Sequence, residues 1–389
     1  MTRKVAIVGV GMQLFEFRKK ETVEEMIFDV TRNALENSQL SKEDIDAVVY
    51  GSAADAFCGI HNSDKVAIDA SGGILKPTMR NSTSGSTAIS TPILGYTHVA
   101  SGLFDLVMVI CYEKMSENLA AQAVFSTCYD ETFVRPLGLN VPIQCGLEAR
   151  AYLHRYGLTE RQMAKVSVKN RGNAMSNPYA QLPMKLTVHD VMSSPYLSWP
   201  VKRLDTSPVT DGARAVVFAS EDVARELTDD PVWVKGVGRG ADSFWFMGRR
   251  NNDLGRLDYA YLAAKQAYDM AGIQNPMAEI DYAEVYDPFT YKEMQHCEAL
   301  GLCPEGGAGR MIDEGISLKE GALPVNASGG LQGEGNPIGA GMSRLCWCYL
   351  QIKGQAGACQ VPKEVNTAVC NGWGGMFQYN AVMVIGRNS

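Results

Sequence analysis

The fold class of this chain is decided by an almost unbroken apolar stretch, Phe104-Asp105-Leu106-Val107-Met108-Val109-Ile110. Such a run is typical of a strand that is buried on both faces of a sheet. Outward from it, residues 5–10 and 45–51 predict two more strands. Helices are predicted at about residues 22–37, with acidic residues in the first turn, and at 84–100. Because strands and helices alternate, we expect an α/β fold with a layered sheet.

Composition bounds the class of protein before any motif is considered. The chain has 389 residues, of which 46% are hydrophobic and 20% are charged, so it can bury a large core and is not disordered. This length predicts two or three domains, or one large duplicated unit. The net charge is −7, and the longest basic run is Arg18-Lys19-Lys20. We therefore expect no nucleic-acid partner.

Cysteine usage and the N-terminal sequence point to a reducing compartment. The ten cysteines include no C-x-x-C pair, and the five histidines share no metal spacing, so we expect reduced thiols and no metal site. The apolar run at residues 5–10 is too short for a signal peptide or a membrane span. We therefore expect a cytoplasmic protein with no membrane contact. Gly9-Val10-Gly11 lacks the third glycine of a dinucleotide fingerprint.

A weak internal repeat predicts two similar halves. Residues 34–50 run from a helix end through an acidic turn into a strand, and residues 267–286 repeat that order. Between the halves, about 120–199 is rich in Asn, Tyr, Pro and Met, which is typical of an insertion covering a site. We therefore expect an N-terminal half of residues 1–119 plus about 200–240. We further expect an inserted loop domain of 120–199 and a C-terminal half of 241–389.

Five segments in order resemble the thiolase superfamily. They are Tyr112-Glu113-Lys114-Met115-Ser116, Asn177-Pro178-Tyr179-Ala180-Gln181, the D-x-S-P-x-x-D-G-A segment 205–213, Glu298-Ala299-Leu300-Gly301-Leu302-Cys303, and the P-x-N-x-S-G-G segment 324–330. The most similar branch is that of sterol-carrier-protein-type thiolases and acetyl-CoA acetyltransferases. The resemblance implies a duplicated five-layer α/β/α/β/α fold, a homodimer, and acyl-CoA thioester substrates.

Two catalytic positions of the resembled family carry other residues here. The family's nucleophilic cysteine, in C-x-[ST]-G, corresponds to Ser82 in Ser82-Thr83-Ser84-Gly85. A serine hydroxyl needs a base before it attacks, so Ser82 is either an unusual nucleophile or a helix cap. The histidine of G-H-P-x-G corresponds to Asn336 in Gly335-Asn336-Pro337-Ile338-Gly339. An asparagine amide cannot take up a proton at neutral pH, but it can donate to an oxyanion.

Two further catalytic motifs keep groups that can move a proton. The H-D-x-F motif corresponds to Tyr286-Asp287-Pro288-Phe289, and the resemblance implies that Tyr286 and Asp287 are catalytic. Tyr286 could donate to an enolate oxygen or move a proton. Retro-aldol members of the superfamily have a similar Y-D-x-F. The C-x-G motif is kept as Cys370-Asn371-Gly372, which implies that Cys370 is the acid/base at the α-carbon. The alternatives are a core tyrosine and a small buried apolar cysteine.

These residues leave three functions open. The first is thiolase-like acyl transfer on a bulky 3-oxoacyl-CoA, with an aromatic acyl group as the option that Phe244-Trp245-Phe246 and Trp373 suggest. The second is retro-aldol cleavage of a 3-hydroxyacyl-CoA, and the third is a non-catalytic thiolase-like subunit. Coenzyme A is expected as a substrate, with no bound cofactor. The resemblance also suggests a small zinc-ribbon/OB-fold partner subunit. The predicted substrate- and CoA-binding residues are Ser328, Gly330, Gly375, Arg249 and Arg250.

Overall fold

A computed structural model describes residues 3–118, 120–245, 253–336 and 338–388. Arg249, Arg250 and Phe246, which the sequence analysis singles out, lie outside these ranges. The strands are β1 (Val5–Met12), β2 (Ala47–Gly51), β3 (Thr78–Asn81), β4 (Leu106–Lys114), β5 (Tyr196–Ser198), β6 (Val201–Lys202), β7 (Asp211–Ser220), β8 (Val232–Ala241), β9 (Tyr282–Glu284), β10 (Thr367–Gly374) and β11 (Tyr379–Gly386).

The main sheet is built from two matching halves. Its strand order is β3-β2-β4-β7-β1-β8-β11-β10-β9. In the first half, β2 pairs in parallel with β3 and β4, and β7 pairs antiparallel with β4 and β1. In the second half, β9 and β10 are parallel, and β11 is antiparallel to β10 and β8. An isolated parallel bridge from Ala283 to Val325 stands where β3 stands in the first half. The halves meet where β1 pairs with β8, which confirms the predicted duplication.

Helices cover both faces of this sheet. They are α1 (Val23–Ser38), α2 (Asp64–Ala70), α3 (Thr87–Ala100), α4 (Ala121–Ser126), α5 (Val141–Tyr156), α6 (Glu160–Asn173), α7 (Val188–Ser193), α8 (Glu221–Leu227), α9 (Asp258–Ala271), α10 (Pro276–Glu279), α11 (Thr290–Ala299), α12 (Ala308–Asp313), α13 (Gly330–Glu334) and α14 (Ile338–Lys353). No helix in the described ranges is both long and apolar enough to span a bilayer.

Two of these helices form the central layer. Helices α3 and α14 pack against each other, and each contacts strands of both sheet halves. Helix α1 covers the outer side of the first half, and α9 covers the outer side of the second half. The result is the predicted five-layer α/β/α/β/α arrangement. Residues on α3 and α14 are therefore buried almost all round, as their small and apolar composition requires.

Local signals explain where the outer helices begin. Thr22 and Glu25 form a capping box at the start of α1, in which each side chain accepts from the other residue's backbone N–H. Helix α6 begins in the same way with Thr159 and Gln162. Helix α3, in contrast, begins at Thr87 and not at residue 84, since Ser84 has a φ of 53°. The predicted domain boundaries at residues 119, 199 and 240 stay predictions.

A buried ionic cluster joins β9, α13 and α14. Arg344 on α14 is fully buried and donates to the carboxylates of Glu284 and Glu334, the latter at 2.6 Å. Glu284 also accepts from Ser328 Oγ at 2.9 Å, and Glu334 accepts from Trp347 Nε1 at 2.8 Å. Charges buried this deeply stabilise the fold only while every partner is present.

We predict that Arg344→Met destabilises the protein strongly. The substitution leaves the buried Glu284 carboxylate without its counter-ion and leaves Glu334 with only the more distant Arg214, at 3.9 Å, which costs about 3–5 kcal/mol of unfolding free energy. Urea denaturation measures the change. Arg32→Met is the control, because Arg32 pairs with Asp29 in an exposed ion pair whose loss changes stability by less than about 1 kcal/mol. Equal losses in the two variants would contradict the prediction.

Glu113 on β4 is a second buried carboxyl, and it has no ion-pair partner among the described residues. It is 3% exposed and accepts the backbone N–H of Ala53 at 2.9 Å. Burial raises the pKa of Glu113 to about 8. The carboxyl is therefore neutral in the folded protein at pH values where the unfolded chain has already ionised it. The stability it contributes is fully present below the unfolded pKa and is lost as pH rises towards 8.

We predict that Glu113→Gln removes this pH dependence. Relative to the parent protein, the variant should gain about 2–4 kcal/mol of unfolding free energy between pH 5 and pH 9, because glutamine cannot ionise. Denaturation series at the two pH values measure it. The exposed Glu24→Gln variant should show no such gain. A variant that loses relative stability as pH rises would overturn the pKa direction on which the prediction rests.

Candidate active site

One cavity lies where the central helix α3, the end of β10 and the inserted region meet. Its volume is about 90 Å³, below the roughly 300 Å³ at which drug-sized ligand pockets begin, so it suits the reacting end of a substrate. The insertion covers it with Gln122, Phe125, Val141 and Pro142. The other lining residues are Ser84, Gly85, Met115, Thr206, Ser207, Pro208, Val209, Tyr286, Pro288, Phe289, Asn336, Trp373, Gly374, Gly375 and Met376.

Two of the predicted catalytic residues meet inside this cavity. The hydroxyl of Tyr286 donates to Oδ1 of Asn336 at 2.8 Å. The tyrosine is 1% exposed and has no room to move. A Cβ atom on Gly85 would lie 2.7 Å from the Tyr286 hydroxyl oxygen, and one on Gly341 would lie 2.7 Å from the ring. The two glycines therefore allow α3 and α14 to close on the ring.

Burial keeps this tyrosine protonated. It raises the pKa of Tyr286 well above the ordinary value, and the negative charge of Asp287 raises it further. A phenol in this state donates a hydrogen bond and transfers its proton only as it receives another. Tyr286 therefore serves as a neutral donor at physiological pH.

Asn336 is held by backbone contacts so that its amide faces the cavity. Its N–H donates to the Pro208 carbonyl at 2.9 Å, and its own carbonyl accepts from Thr210 N–H at 3.3 Å. Gly335 precedes it with a φ of 111°, and a Cβ there would lie 2.6 Å from Thr210 Cβ. No hydrogen bond from Asn336 Nδ2 to a protein acceptor occurs within the described ranges. This N–H₂ group is thus available to an oxygen atom of a substrate.

Asp287 lies behind the cavity and does not line it. One of its carboxylate oxygens accepts from Leu331 N–H at 2.7 Å, and the other accepts from Asn170 Nδ2 at 2.8 Å. A Cβ atom on Gly330 would lie 2.4 Å from this carboxylate, so the glycine allows the two segments to touch. Burial, together with the nearby Glu293 charge, raises the pKa of Asp287 to about 8. Asp287 and Gly330 therefore help to hold the 328–331 turn. The catalytic role predicted for Asp287 and the binding role predicted for Gly330 stay predictions.

Ser82 and Cys370 also lie outside the cavity. Ser82 is exposed, and α3 takes Ser86 as its N-cap residue, so Ser82 does not cap that helix. Cys370 is fully buried on β10, where its thiol points to the Met383 carbonyl, with 3.8 Å between sulfur and oxygen. Neither side chain is brought to Tyr286 and Asn336. The nucleophilic role of Ser82 and the acid/base role of Cys370 therefore stay predictions without geometric support.

Of the predicted CoA-binding residues, one lines the cavity and another is buried away from it. Gly375 lines the cavity with a φ of 67°, and a Cβ there would lie 2.4 Å from the Tyr379 ring. Ser328 belongs to the Arg344 cluster and is fully buried away from the cavity.

Sequence reasoning missed several groups that shape the site. Ser84 and Gly85 line the cavity although the family resemblance singled out Ser82, at the start of the same motif. Trp373, in contrast, was singled out for an aromatic acyl group, and it forms one wall of the cavity. Its Nε1 donates to the Tyr259 hydroxyl at 2.8 Å, and Lys292 Nζ lies 4.4 Å from its ring centre. Residues 206–209 line the cavity too. They belong to the D-x-S-P-x-x-D-G-A segment of the resemblance, and that motif was the signal that could have identified them as cavity residues.

Among the described residues, the cavity lining carries no charged side chain and no thiol: none of these side chains is Asp, Glu, Lys, Arg, His or Cys. Across the described ranges, no group of three or more His, Cys, Asp or Glu side chains is arranged to hold a metal ion. The polar side chains in this lining are the Tyr286 hydroxyl, the Asn336 and Gln122 amides, and the hydroxyls of Ser84, Thr206 and Ser207. This set can stabilise an oxyanion and pass on a proton.

Comparisons with known proteins agree with this fold. A family described as "Thiolase, N-terminal domain" matches residues 5–192, and one described as "Thiolase C-terminal domain-like" matches residues 247–387. An acetyl-CoA acetyltransferase of Methanothermobacter thermautotrophicus is 34% identical over 92% of this chain and 93% of that relative. A 17-hydroxy-3-oxo-4-pregnene-20-carboxyl-CoA lyase of Mycobacterium tuberculosis is 28% identical over 89% of this chain and 92% of that relative.

A solved structure extends the agreement to the whole fold. The Ltp2-ChsH2(DUF35) aldolase superposes with a TM-score of 0.86 at 24% identity, covering 99% of this chain and 98% of that one. At this identity the likeness establishes architecture alone. Together with the matched family models and the 34% identical relative, it leads to one conclusion: the chain belongs to the thiolase family.

Proposed function

We propose that this protein makes or breaks the carbon–carbon bond next to a CoA thioester without forming an acyl-enzyme, and that its reaction is the retro-aldol cleavage of a 3-hydroxyacyl-CoA. The observation that carries the proposal is the Tyr286–Asn336 pair inside a cavity whose lining contains no cysteine. Thiolysis through a covalent intermediate needs an activated nucleophile. Aldol cleavage needs only an oxyanion donor and a proton relay.

The proposed step balances with the groups at hand. As the bond between Cα and Cβ breaks, its electron pair moves to Cα and the thioester carbonyl, forming an enolate. The 3-hydroxyl group loses its proton and becomes the carbonyl of an aldehyde or ketone, and Cα gains a proton. Asn336 Nδ2 donates to the enolate oxygen. Tyr286 hands its proton to Cα while it takes up the hydroxyl proton, so the phenol never has to carry a full charge.

A second candidate is acyl transfer, in which the CoA thiol attacks the 3-oxo group directly. The 34% identical acetyl-CoA acetyltransferase favours it. In this reaction Asn336 would stabilise the same enolate, and Tyr286 would protonate it. The placement of Ser82 and Cys370 outside the cavity argues for the aldol reaction. The third possibility, a non-catalytic subunit, has less support because Tyr286 and Asn336 are held so closely inside a cavity.

The cavity lining and the exposed sheet edge indicate the class of substrate and the partners. Coenzyme A is proposed as part of the substrate, with no bound cofactor. Trp373, Phe125 and Phe289 line the cavity and support an apolar or aromatic group near the reacting carbon, whereas Phe244 and Trp245 do not line it. Strand β3 forms an edge of the sheet with Met79 exposed, which supports a homodimer that covers it. The Ltp2-ChsH2(DUF35) aldolase bears the names of two proteins, which supports a small partner subunit here as well.

The proposal predicts cleavage that does not depend on free CoA. A 3-hydroxyacyl-CoA with an apolar substituent at C3 should release an aldehyde or ketone and a shortened acyl-CoA when no CoA is added. Liquid chromatography with mass detection measures both products. Cleavage of a 3-oxoacyl-CoA that occurs only when CoA is supplied would establish acyl transfer instead. Absence of both reactions, also with a DUF35-type partner added, would favour a non-catalytic subunit.

Removal of one hydroxyl should then abolish most of the activity. Tyr286→Phe should lower kcat by about 10²–10⁴-fold, because the proton relay is lost. Tyr268→Phe is the matched control: its buried hydroxyl donates to the Leu300 carbonyl at 2.6 Å, away from the cavity, so kcat should change by less than about twofold.

Cys370→Ala separates the geometric proposal from the role that the C-x-G motif implies. We expect kcat within about threefold of the parent value, since the thiol lies in the core. A loss as large as that of Tyr286→Phe would restore Cys370 as the acid/base and contradict the assignment to Tyr286.

A further inference from the structure

Tyr286 stands where the chain has just left the sheet. Strand β9 ends at Glu284, two residues earlier. Backbone groups beyond a strand still need hydrogen bonds when they are buried. Here side chains supply them, and Val285 N–H donates to Asn326 Oδ1 at 2.8 Å.

The backbone of Tyr286 is held from two sides. Its N–H donates to Asn371 Oδ1 at 2.9 Å, and its carbonyl accepts from His296 Nδ1 at 2.7 Å. Asn371 lies on β10, and His296 lies in the last turn of α11. Both side chains are fully buried.

Asn380 on β11 closes these contacts into a ring. Asn371 Nδ2 donates to Asn380 Oδ1 at 3.4 Å, and Asn380 Nδ2 lies 3.4 Å from His296 Nε2. Trp373 pairs directly with Asn380 across the two strands, so Asn371 is the diagonal neighbour of Asn380 on the same face. The ring therefore runs from Tyr286 to Asn371, to Asn380, to His296 and back to Tyr286.

Each of the four members donates once and accepts once, and this order has only one consistent direction. A carbonyl oxygen can only accept, so His296 must carry its proton on Nδ1 and leave Nε2 as the acceptor. If Asn380 were flipped, Asn371 would have to flip as well, and its N–H₂ would then face the N–H of Tyr286. Burial, with the Lys292 charge adding to it, lowers the pKa of His296 to about 3, which keeps the imidazole neutral.

We propose that His296, Asn371 and Asn380 are positioning residues that form a closed hydrogen-bonded ring around the backbone of Tyr286 and thereby set the distance from its hydroxyl to the reacting carbon. The ring itself follows from the geometry alone, whereas its effect on catalysis rests on the proposed function. Hydrogen bonds that run head to tail strengthen one another, and a displacement of about 1 Å at a reacting group can cost about 10²-fold in rate.

The first test examines the ring without any substrate. Protein labelled with ¹⁵N-histidine is studied by NMR at pH 7, and the His296 signals are assigned by their loss in His296→Gln. We expect the neutral tautomer with its proton on Nδ1. The Nε2–H tautomer or a doubly protonated ring would overturn the proposal. This arm tests the direction of the hydrogen bonds at His296, which the ring requires, even if neither proposed reaction is observed.

The second test examines the catalytic consequence with variants of Asn380. Its side chain contacts Asn371 and His296, and it does not itself line the cavity, although its backbone pairs with that of Trp373 in the cavity wall. Asn380→Leu opens the ring, so kcat should fall about tenfold while KM changes by less than about twofold. Asn380→Asp keeps an acceptor for Asn371 and, with one added proton shared with His296 Nε2, closes the ring again. Its kcat should lie within about threefold of the parent value.

A variant that only lost stability would not show a selective fall in kcat. Gln351→Met is the matched control, since the buried Gln351 amide donates to Cys359 and accepts from Val361 far from the cavity. We expect this variant to lose comparable stability and to keep its kcat. Equal kcat losses in Gln351→Met and Asn380→Leu, or no recovery in Asn380→Asp, would refute the positioning role. Asn380→Asp and the NMR experiment keep the proposal testable if Asn380→Leu does not fold.

Discussion

The guanidinium of Arg344 binds the two segments that carry the polar groups of the cavity. One of its carboxylate partners, Glu284, lies two residues before Tyr286, and the other, Glu334, lies two residues before Asn336. The contact between the tyrosine hydroxyl and the Asn336 amide therefore depends on a charge cluster buried beneath both. Burying three charges is costly unless each is paired, so the cluster tolerates little variation in the position of either segment.

The cavity above this cluster combines rigidity with a low local polarity. Glycines bring α3 and α14 against the ring of Tyr286, and side chains take the place of sheet hydrogen bonds at its backbone. A donor held in this way needs little reorganisation when charge develops on a substrate oxygen. Members of one family can thus carry out different carbon–carbon bond chemistry on the same architecture, because the groups that meet in the cavity decide the reaction.

Motif order predicted the family, and two of the residues that it singled out, Tyr286 and Asn336, line the cavity. The role implied for Cys370 has no support from the geometry. Successive residues of a strand point to opposite faces of the sheet. On β10, Asn371 and Trp373 face the side of Tyr286, and Cys370 faces the core between β10 and α14. A local C-x-G pattern does not reveal which of the two faces lines a cavity. His296 was missed because no local pattern shows that its ring contacts the Tyr286 carbonyl, ten positions earlier, and Asn380, 84 positions further along the chain.

The sequence by itself determined the alternation of strands and helices, the duplication and the family, since apolar periodicity and motif order are local properties of the chain. Only the tertiary structure decided which residues share the cavity. The pairing of Tyr286 with Asn336 and the ring through Asn371, Asn380 and His296 join segments that are far apart in the chain. Such juxtapositions arise when the two sheet halves close on α3 and α14, because burial of their apolar faces leaves the polar groups at the seam to satisfy one another.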